Sequence, residues 1–190
     1  AVLMPRTRMP LHIFEPRYLQ MLEDTLKTDH RMIGMIQPDN GALASIGCAG
    51  RVVAFSEGDD GRMMISLKAL SRFRLLETQE GFAPYLRGRV EFDGFQRDLG
   101  TAEADPGMDR LRLFGLLRRY METHELSTDW EAAEKADDEV LINSLAMMLP
   151  FSAADKQALL ESPGLADRRE LLEGLIEFAL HGGDNEDRMQ

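Results

Sequence analysis

The stretch Met9-Pro10-Leu11-His12-Ile13-Phe14-Glu15-Pro16-Arg17-Tyr18 forces an extended segment to turn into a helix. Pro16 has no backbone N–H to give, so it suits the first turn of a helix, where that donor would be unpaired anyway. The same proline pushes Glu15 toward extended backbone, which puts the turn between Phe14 and Pro16. Beyond it Tyr18, Met21, Leu22 and Leu26 recur at helical spacing, with Gln20, Glu23, Asp24 and Lys27 between them.

Downstream of this helix the chain reads as strands. Met32 to Ile36 is a short apolar run closed by the turn cluster Pro38-Asp39-Asn40-Gly41. Arg51 to Ser56 follows, then Glu57-Gly58-Asp59-Asp60-Gly61 supplies the residues of a hairpin loop. Met63, Ile65 and Leu67 alternate with Arg62, Met64, Ser66 and Lys68, the period of a half-buried strand. Arg72 to Leu76 reads as a continuation of the meander. Tyr85 to Phe92 alternates as well, with Leu86, Gly88, Val90 and Phe92 on one side. Several short strands with one helix inserted after Phe14 predict a small curled or barrel-like sheet.

Residues 93–105 are acidic, contain glycine and have no period, so they read as a linker. The rest reads as helices. Asp105-Pro106 is a candidate start, with Leu111, Phe114, Leu117 and Met121 on one face. Thr128 and Glu131 fit a capping box. Val140, Leu141, Leu145 and Met148 mark a helix that Pro150 stops, and Ser152 opens another. The last helix, through Leu171, Leu175 and Ile176, is expected to end at Gly182-Gly183. The fold class is therefore α+β: a β subdomain over residues 1–95, a helical bundle over 105–182 and a frayed tail over 183–190.

Charge divides the same way. Residues 1–92 hold 12 Lys and Arg against 11 Asp and Glu, a net of +1; residues 93–190 hold 10 against 22, a net of −12, which recovers the total of −11. Such an acidic second half argues against nucleic acid, whose binding rests on cations that neutralise phosphates. No apolar run approaches the roughly 20 residues of a membrane span. The single cysteine, Cys48, excludes an internal disulfide and fits a reducing cytoplasm.

Signs of catalysis are few. No glycine is followed directly by lysine, so no Gly-Lys-Ser/Thr phosphate loop exists, and there is no Gly-x-Ser-x-Gly elbow or His-Glu-x-x-His. Cys48 with one of four histidines reads as a small buried residue rather than a nucleophile. Asp137-Asp138-Glu139 reads as a helix start rather than a cation site. No cofactor and no metal is expected. Twelve methionines suit surfaces that accept varied apolar partners. Periodicity sends Met63 and Met148 to the core and leaves Met64 exposed.

Pro10 to Met21 resembles the signature of the LON domain, the N-terminal substrate-recognition region of ATP-dependent Lon proteases. The family-motif residues are Ile13, Phe14, Glu15, Pro16, Arg17 and Tyr18. Further resemblance lies in Ile46-Gly47-Cys48-Ala49-Gly50-Arg51-Val52, in Ser71-Arg72-Phe73-Arg74-Leu75, in Pro84-Tyr85-Leu86 and in Leu149 to Glu161. Together these cover roughly residues 2–180 in family order. The resemblance implies a PUA-like β-barrel followed by a helical bundle, without the ATPase and peptidase modules of a full Lon protease. Family members usually begin with one strand more, so a sheet lacking an edge is expected here. The implied function is non-catalytic recognition of unfolded or apolar polypeptide segments, with no membrane partner and a homo-oligomer left open. The alternatives are RNA binding through the barrel and an adaptor for one fixed protein. Met64, Arg72, Arg74, Arg87 and Arg89 form the candidate binding surface.

Overall fold

A computed structural model describes residues 1–79 and 81–186. The chain divides into two compact units, Ala1–Thr101 and Ala102–Gln190. The division falls inside the stretch that reads as a linker.

The first unit is an antiparallel sheet with one helix. Strand β1 (Arg8–Ile13) leads into α1 (Pro16–Leu26) through the turn that the sequence demands. Glu15 is extended at φ −70° and ψ 132°, and Pro16 opens the helix. The Glu15 carbonyl accepts from the N–H groups of Tyr18 and Leu19 at 2.9 and 3.0 Å, which starts the helical ladder at the proline. Then come β2 (Met32–Met35), the short β3 (Pro38–Asp39) and β4 (Ala42–Leu43), β5 (Ile46–Glu57), β6 (Met63–Gln79) and β7 (Arg87–Glu91).

Strand β6, 17 residues long, is the spine of the sheet. One of its edges carries β5, which in turn carries β2. Its other edge carries β1 along Met63–Lys68 and β7 along Arg74–Gln79. Where β1 stops and β7 has not begun, other groups complete the bonding. Ala69 N–H donates to the Thr7 carbonyl at 2.9 Å, and Arg72 N–H donates to Asp98 Oδ2 at 2.8 Å. The separate strands read at 62–68 and 72–76 are thus one strand. Register shifts at Ala49/Gly50, Val52/Ala54 and Leu75/Glu77 mark bulges that bend the sheet. Among the described residues no ladder joins β2 to β1 or β7, so the bonded order is open there.

The core under the sheet is Ile13, Leu22, Ile33, Val52, Ile65 and Leu67, with Leu19, Met21 and Leu26 of α1 packed against it. Val2, Leu3 and Met4 are buried too. Gly50 permits this: a Cβ there would lie 2.9 Å from Leu3 Cδ2 and 3.2 Å from Leu67 Cβ.

Residues 96–99, read as linker, form a 3-10 turn of the first unit. Asp98 is buried beside Arg72, whose Nε and Nη2 donate to its two carboxylate oxygens, each at 3.0 Å. The Phe95 ring lies 5.0 Å from the same guanidinium. An aspartate 26 residues away therefore neutralises a charge that sequence alone assigns to the surface.

The second unit holds α2 (Arg110–Thr123), α3 (Trp130–Lys135), α4 (Asp138–Met148), α5 (Ala153–Glu161) and α6 (Leu165–Glu186). Its core takes Leu113, Leu117, Leu141, Ile142, Leu145, Leu159, Leu172 and Ile176. Leu111 points to solvent, so the α2 face is displaced from the one expected. Helix starts differ as well. Asp109 caps α2 through Arg112 N–H, and Asp129, one residue after the expected Thr128, caps α3 through Ala132 N–H. Asp105 is instead buried against Arg169, whose Nε donates to Asp105 Oδ2 at 2.7 Å. Ser152 caps α5 as read. Leu149 takes the buried place at the end of α4 and leaves Met148 exposed. Helix α6 continues through Gly182 to Glu186, because glycine weakens a helix without ending it unless a left-handed residue follows. Residues 187–190 of the expected tail lie outside the described residues.

Candidate functional site

The two outer strands of the sheet differ. Thr7 bonds β6 through its carbonyl, so alternation turns the backbone groups of Arg8, Pro10 and His12 away from β6. Pro10, with no N–H, therefore sits on the free edge of β1, where it obstructs pairing with another chain. On β2 the Arg31 carbonyl accepts from Val52 N–H at 2.9 Å, so the groups of Met32 and Gly34 turn outward. Met32 N–H is satisfied by His30 Nδ1 at 3.1 Å. Gly34 is exposed and brings neither a side chain to that edge nor a proline to block it.

A groove of about 460 Å³ runs along this open edge. Met21 of α1 and Met32 and Ile33 of β2 give one apolar wall, and Leu86, 59% exposed, gives the other. The second wall is fixed by Tyr85, whose hydroxyl donates to Asp24 Oδ2 at 2.8 Å. That hydrogen bond, and then one from Gln20, holds the Asp24 carboxyl below its ordinary pKa, and it pushes the Tyr85 phenol up. Polar groups (Asp24, Thr25, Thr28, His30, Tyr85 and Arg87) share the lining with these apolar side chains, and such a mixed groove beside a strand edge that no described strand pairs suits an extended polypeptide segment.

The residues singled out in the sequence fall into separate places. Ile13 enters the core, while Phe14 is exposed under the Arg62 guanidinium, 5.8 Å away. Glu15 and Arg17 pair with each other at 2.8 Å, and the Arg17 guanidinium lies 4.7 Å from the Tyr18 ring. With Pro16 these residues build the corner. Met64 is exposed, on the outer face of β6. Arg72 leaves the candidate surface altogether, being 3% exposed and paired with Asp98. Arg74 pairs with Glu91 at 3.7 Å and Arg89 with Glu77 at 3.1 Å, across β6 and β7. Arg87 lines the groove. A contiguous basic stripe of these four arginines is absent, which removes the geometric support for RNA binding.

Nor do the weak catalytic candidates assemble. Cys48 is fully buried, and its thiol lies 3.8 Å from the Ala49 carbonyl oxygen. Asp138 accepts from Arg110 Nη1 at 2.7 Å, and Glu139 accepts from Glu103 N–H at 2.7 Å. Among the described residues no group of three or more His, Cys, Asp or Glu could hold a metal. No helix among them is long and apolar enough to cross a membrane.

The family model of the ATP-dependent protease La (LON) substrate-binding domain matches residues 1–177. The chain belongs to this family. As a LON domain it is 29% identical, over 94% of its length, to Lon protease 1 of Bdellovibrio bacteriovorus, of which it spans 24%. It is 28% identical over 48% of its length to Lon protease 2 of Sorangium cellulosum, spanning 12% of that protein. The crystal structure of a Lon N-terminal domain protein from Xanthomonas campestris superposes with a TM-score of 0.64 at 26% identity, covering 90% of each chain. The N-terminal domain of a Mycobacterium avium complex Lon protease shares the fold, with a TM-score of 0.67 at 15% identity over 93% of this chain and 92% of that one. The 190 residues thus correspond to the substrate-binding part of such proteases, and the matched span includes neither their ATPase nor their protease module.

The groove residues that sequence reasoning missed are Gly34, Tyr85 and Asp24. One signal was present: a glycine inside an apolar strand marks a close approach, and at Gly34 an added Cβ would lie 3.2 Å from the Phe73 ring.

Proposed function

We propose that this domain is a non-catalytic recognition module that captures extended, apolar segments of other polypeptides along the free edge of β2. The observation that carries the reading is the groove itself, an unpaired strand edge walled by Met21, Met32, Ile33 and Leu86. A bound segment adds a strand, using main-chain bonds to Gly34 for affinity and alternate side chains against Met21, Met32 and Leu86 for preference. The methionine thioethers adapt to varied side chains, which fits broad rather than sequence-specific recognition. Binding is weak, since ordering a flexible segment consumes much of the gain from so small a groove. A cytoplasmic setting belongs to the same reading, because a chain with one cysteine holds no internal disulfide.

The test uses a fluorescent apolar heptapeptide of neutral charge, and two versions of it N-methylated at alternate positions. Edge pairing requires that one methylation pattern abolish binding and the other spare it. Leu86→Asp is expected to weaken the parent peptide with no loss of folding. Equal binding by both methylated peptides eliminates strand addition. Absence of binding by the parent peptide at any attainable concentration eliminates the reading as a whole.

A further inference from the structure

Arg8, Lys68 and Arg51 occupy one row across three adjacent strands. Arg8 of β1 is the register partner of Lys68 of β6, and Lys68 is the partner of Arg51 of β5. The next positions, Met9, Leu67 and Val52, are all buried, so alternation puts the three cations together on the outer face, where all are exposed. With strands roughly 4.8 Å apart, the row spans about 10 Å. Like charges directly opposite one another weaken a sheet.

Among the described residues no carboxylate neutralises them. Arg17, Lys27, Arg62, Arg74 and Arg89 each lie within 4.0 Å of a carboxylate. Arg8, Lys68 and Arg51 have no such partner among the described residues, although the chain carries 33 acidic residues against 22 basic ones. Arg51 is steadied through its Nε, which donates to the His30 carbonyl at 3.1 Å, so its remaining donors are free to turn outward. Beside the row stand Pro10, Ser66 and Ala54 in register, with the exposed Val53 in the bulge between Val52 and Ala54.

We infer that this outer face is a second docking surface, for an acidic polypeptide segment that sets two or three carboxylates over Arg8, Lys68 and Arg51 and an apolar side chain over Val53. The Arg51 end of the row adjoins the β2 groove, since its register partner Met32 and its acceptor His30 both line that groove, but the inference does not depend on the function proposed for the groove. Charge complementarity selects the occupant: three neighbouring cations without counter-ions match a short cluster of Asp or Glu. A polypeptide fits better than a nucleic acid on two grounds. The net charge of −11 repels a long phosphate backbone, and the row with its Pro10, Ser66, Ala54 and Val53 border offers no aromatic ring for a base to stack on.

The test titrates the full chain with a fluorescent peptide of three Asp or Glu residues interleaved with Leu, and with its Asn/Gln counterpart. The acidic peptide is expected to bind about tenfold more tightly at low salt, three exposed ion pairs being modest individually, and to lose that margin as ionic strength rises. The triple variant Arg8→Gln, Lys68→Gln, Arg51→Gln is expected to abolish the margin while keeping or raising the melting temperature, since it removes repulsion. The control pair Arg74→Gln, Arg89→Gln, whose charges are already matched, is expected to leave the margin intact. Equal affinity for the acidic and amide peptides overturns the inference. So does an unchanged margin in the triple variant, or a single-stranded RNA that outcompetes the peptide and loses its binding in that variant. Because the probe is charged and the groove probe is neutral, failure here and failure of the groove reading are separate results.

Discussion

Replacing Asp98 by alanine should unfold the first unit's sheet more readily than any surface substitution. The carboxylate takes Arg72 Nε and Nη2 at 3.0 Å each and Arg72 N–H at 2.8 Å, at side-chain exposures of 1% for Asp98 and 3% for Arg72. Its loss leaves a buried guanidinium without its carboxylate and takes away the acceptor of Arg72 N–H on the β6 edge between β1 and β7. Removing one member of a buried ion pair costs about 3–5 kcal/mol, much of it the penalty of the charge left behind. For a chain of this size 4 kcal/mol lowers Tm by about 10 °C. Asp98→Asn keeps the shape and one acceptor, so its cost should be smaller. The assay needs a probe of the right unit. Trp130 lies in the helical unit, so its fluorescence is a poor reporter. Far-UV circular dichroism melts, with amide exchange read on Ala69 to Arg74, follow the sheet itself. A loss under about 1 kcal/mol for Asp98→Ala, the scale of an exposed pair, would refute the buried-pair argument.

Gly47→Ala should cost about 2 kcal/mol or more in a denaturant melt, because its Cβ would sit 2.5 Å from the Met35 carbonyl oxygen, a backbone atom that cannot move aside. Asp105→Ala should destabilise the helical unit, read by Trp130 fluorescence, because Arg169 is 11% exposed and its pKa is raised first by the Asp105 hydrogen bond. Tyr85→Phe should loosen the groove wall and weaken the neutral peptide while leaving the fold intact. The same contact sets a pH dependence. Asp24 is held below its ordinary pKa, so its contribution is complete above the usual carboxylate range and fades as pH falls through the lowered value. Wild-type stability should therefore exceed that of Tyr85→Phe at neutral pH and converge with it in acid; a gap that persists in acid would contradict this assignment.

The corner at Glu15-Pro16 was legible because its causes are local. A missing N–H and a restricted preceding residue act on neighbours in the chain, wherever the chain goes. The inward positions Ile65 and Leu67 were legible for a similar reason, since a two-residue period reports burial on one face. Helix starts were read to within a few residues, and the misses have one cause. Asp105 looks like a cap in isolation, but Arg169, 64 residues on, claims its carboxylate, and Asp109 does the capping. Met148 looked like core until Leu149 took the buried place.

What the sequence determined by itself is the order of strands, corner and helices, and the family motif they carry, because these rest on short-range sterics and hydrophobic period. What only the tertiary structure decided is which charges are spent and which remain. Arg72 lies buried on Asp98, Arg74 and Arg89 are matched across strands, and Arg8, Lys68 and Arg51 stand together with no carboxylate partner among the described residues. Charge is counted along the chain but neutralised through space, over distances of a few ångströms that only register and long-range folding bring about.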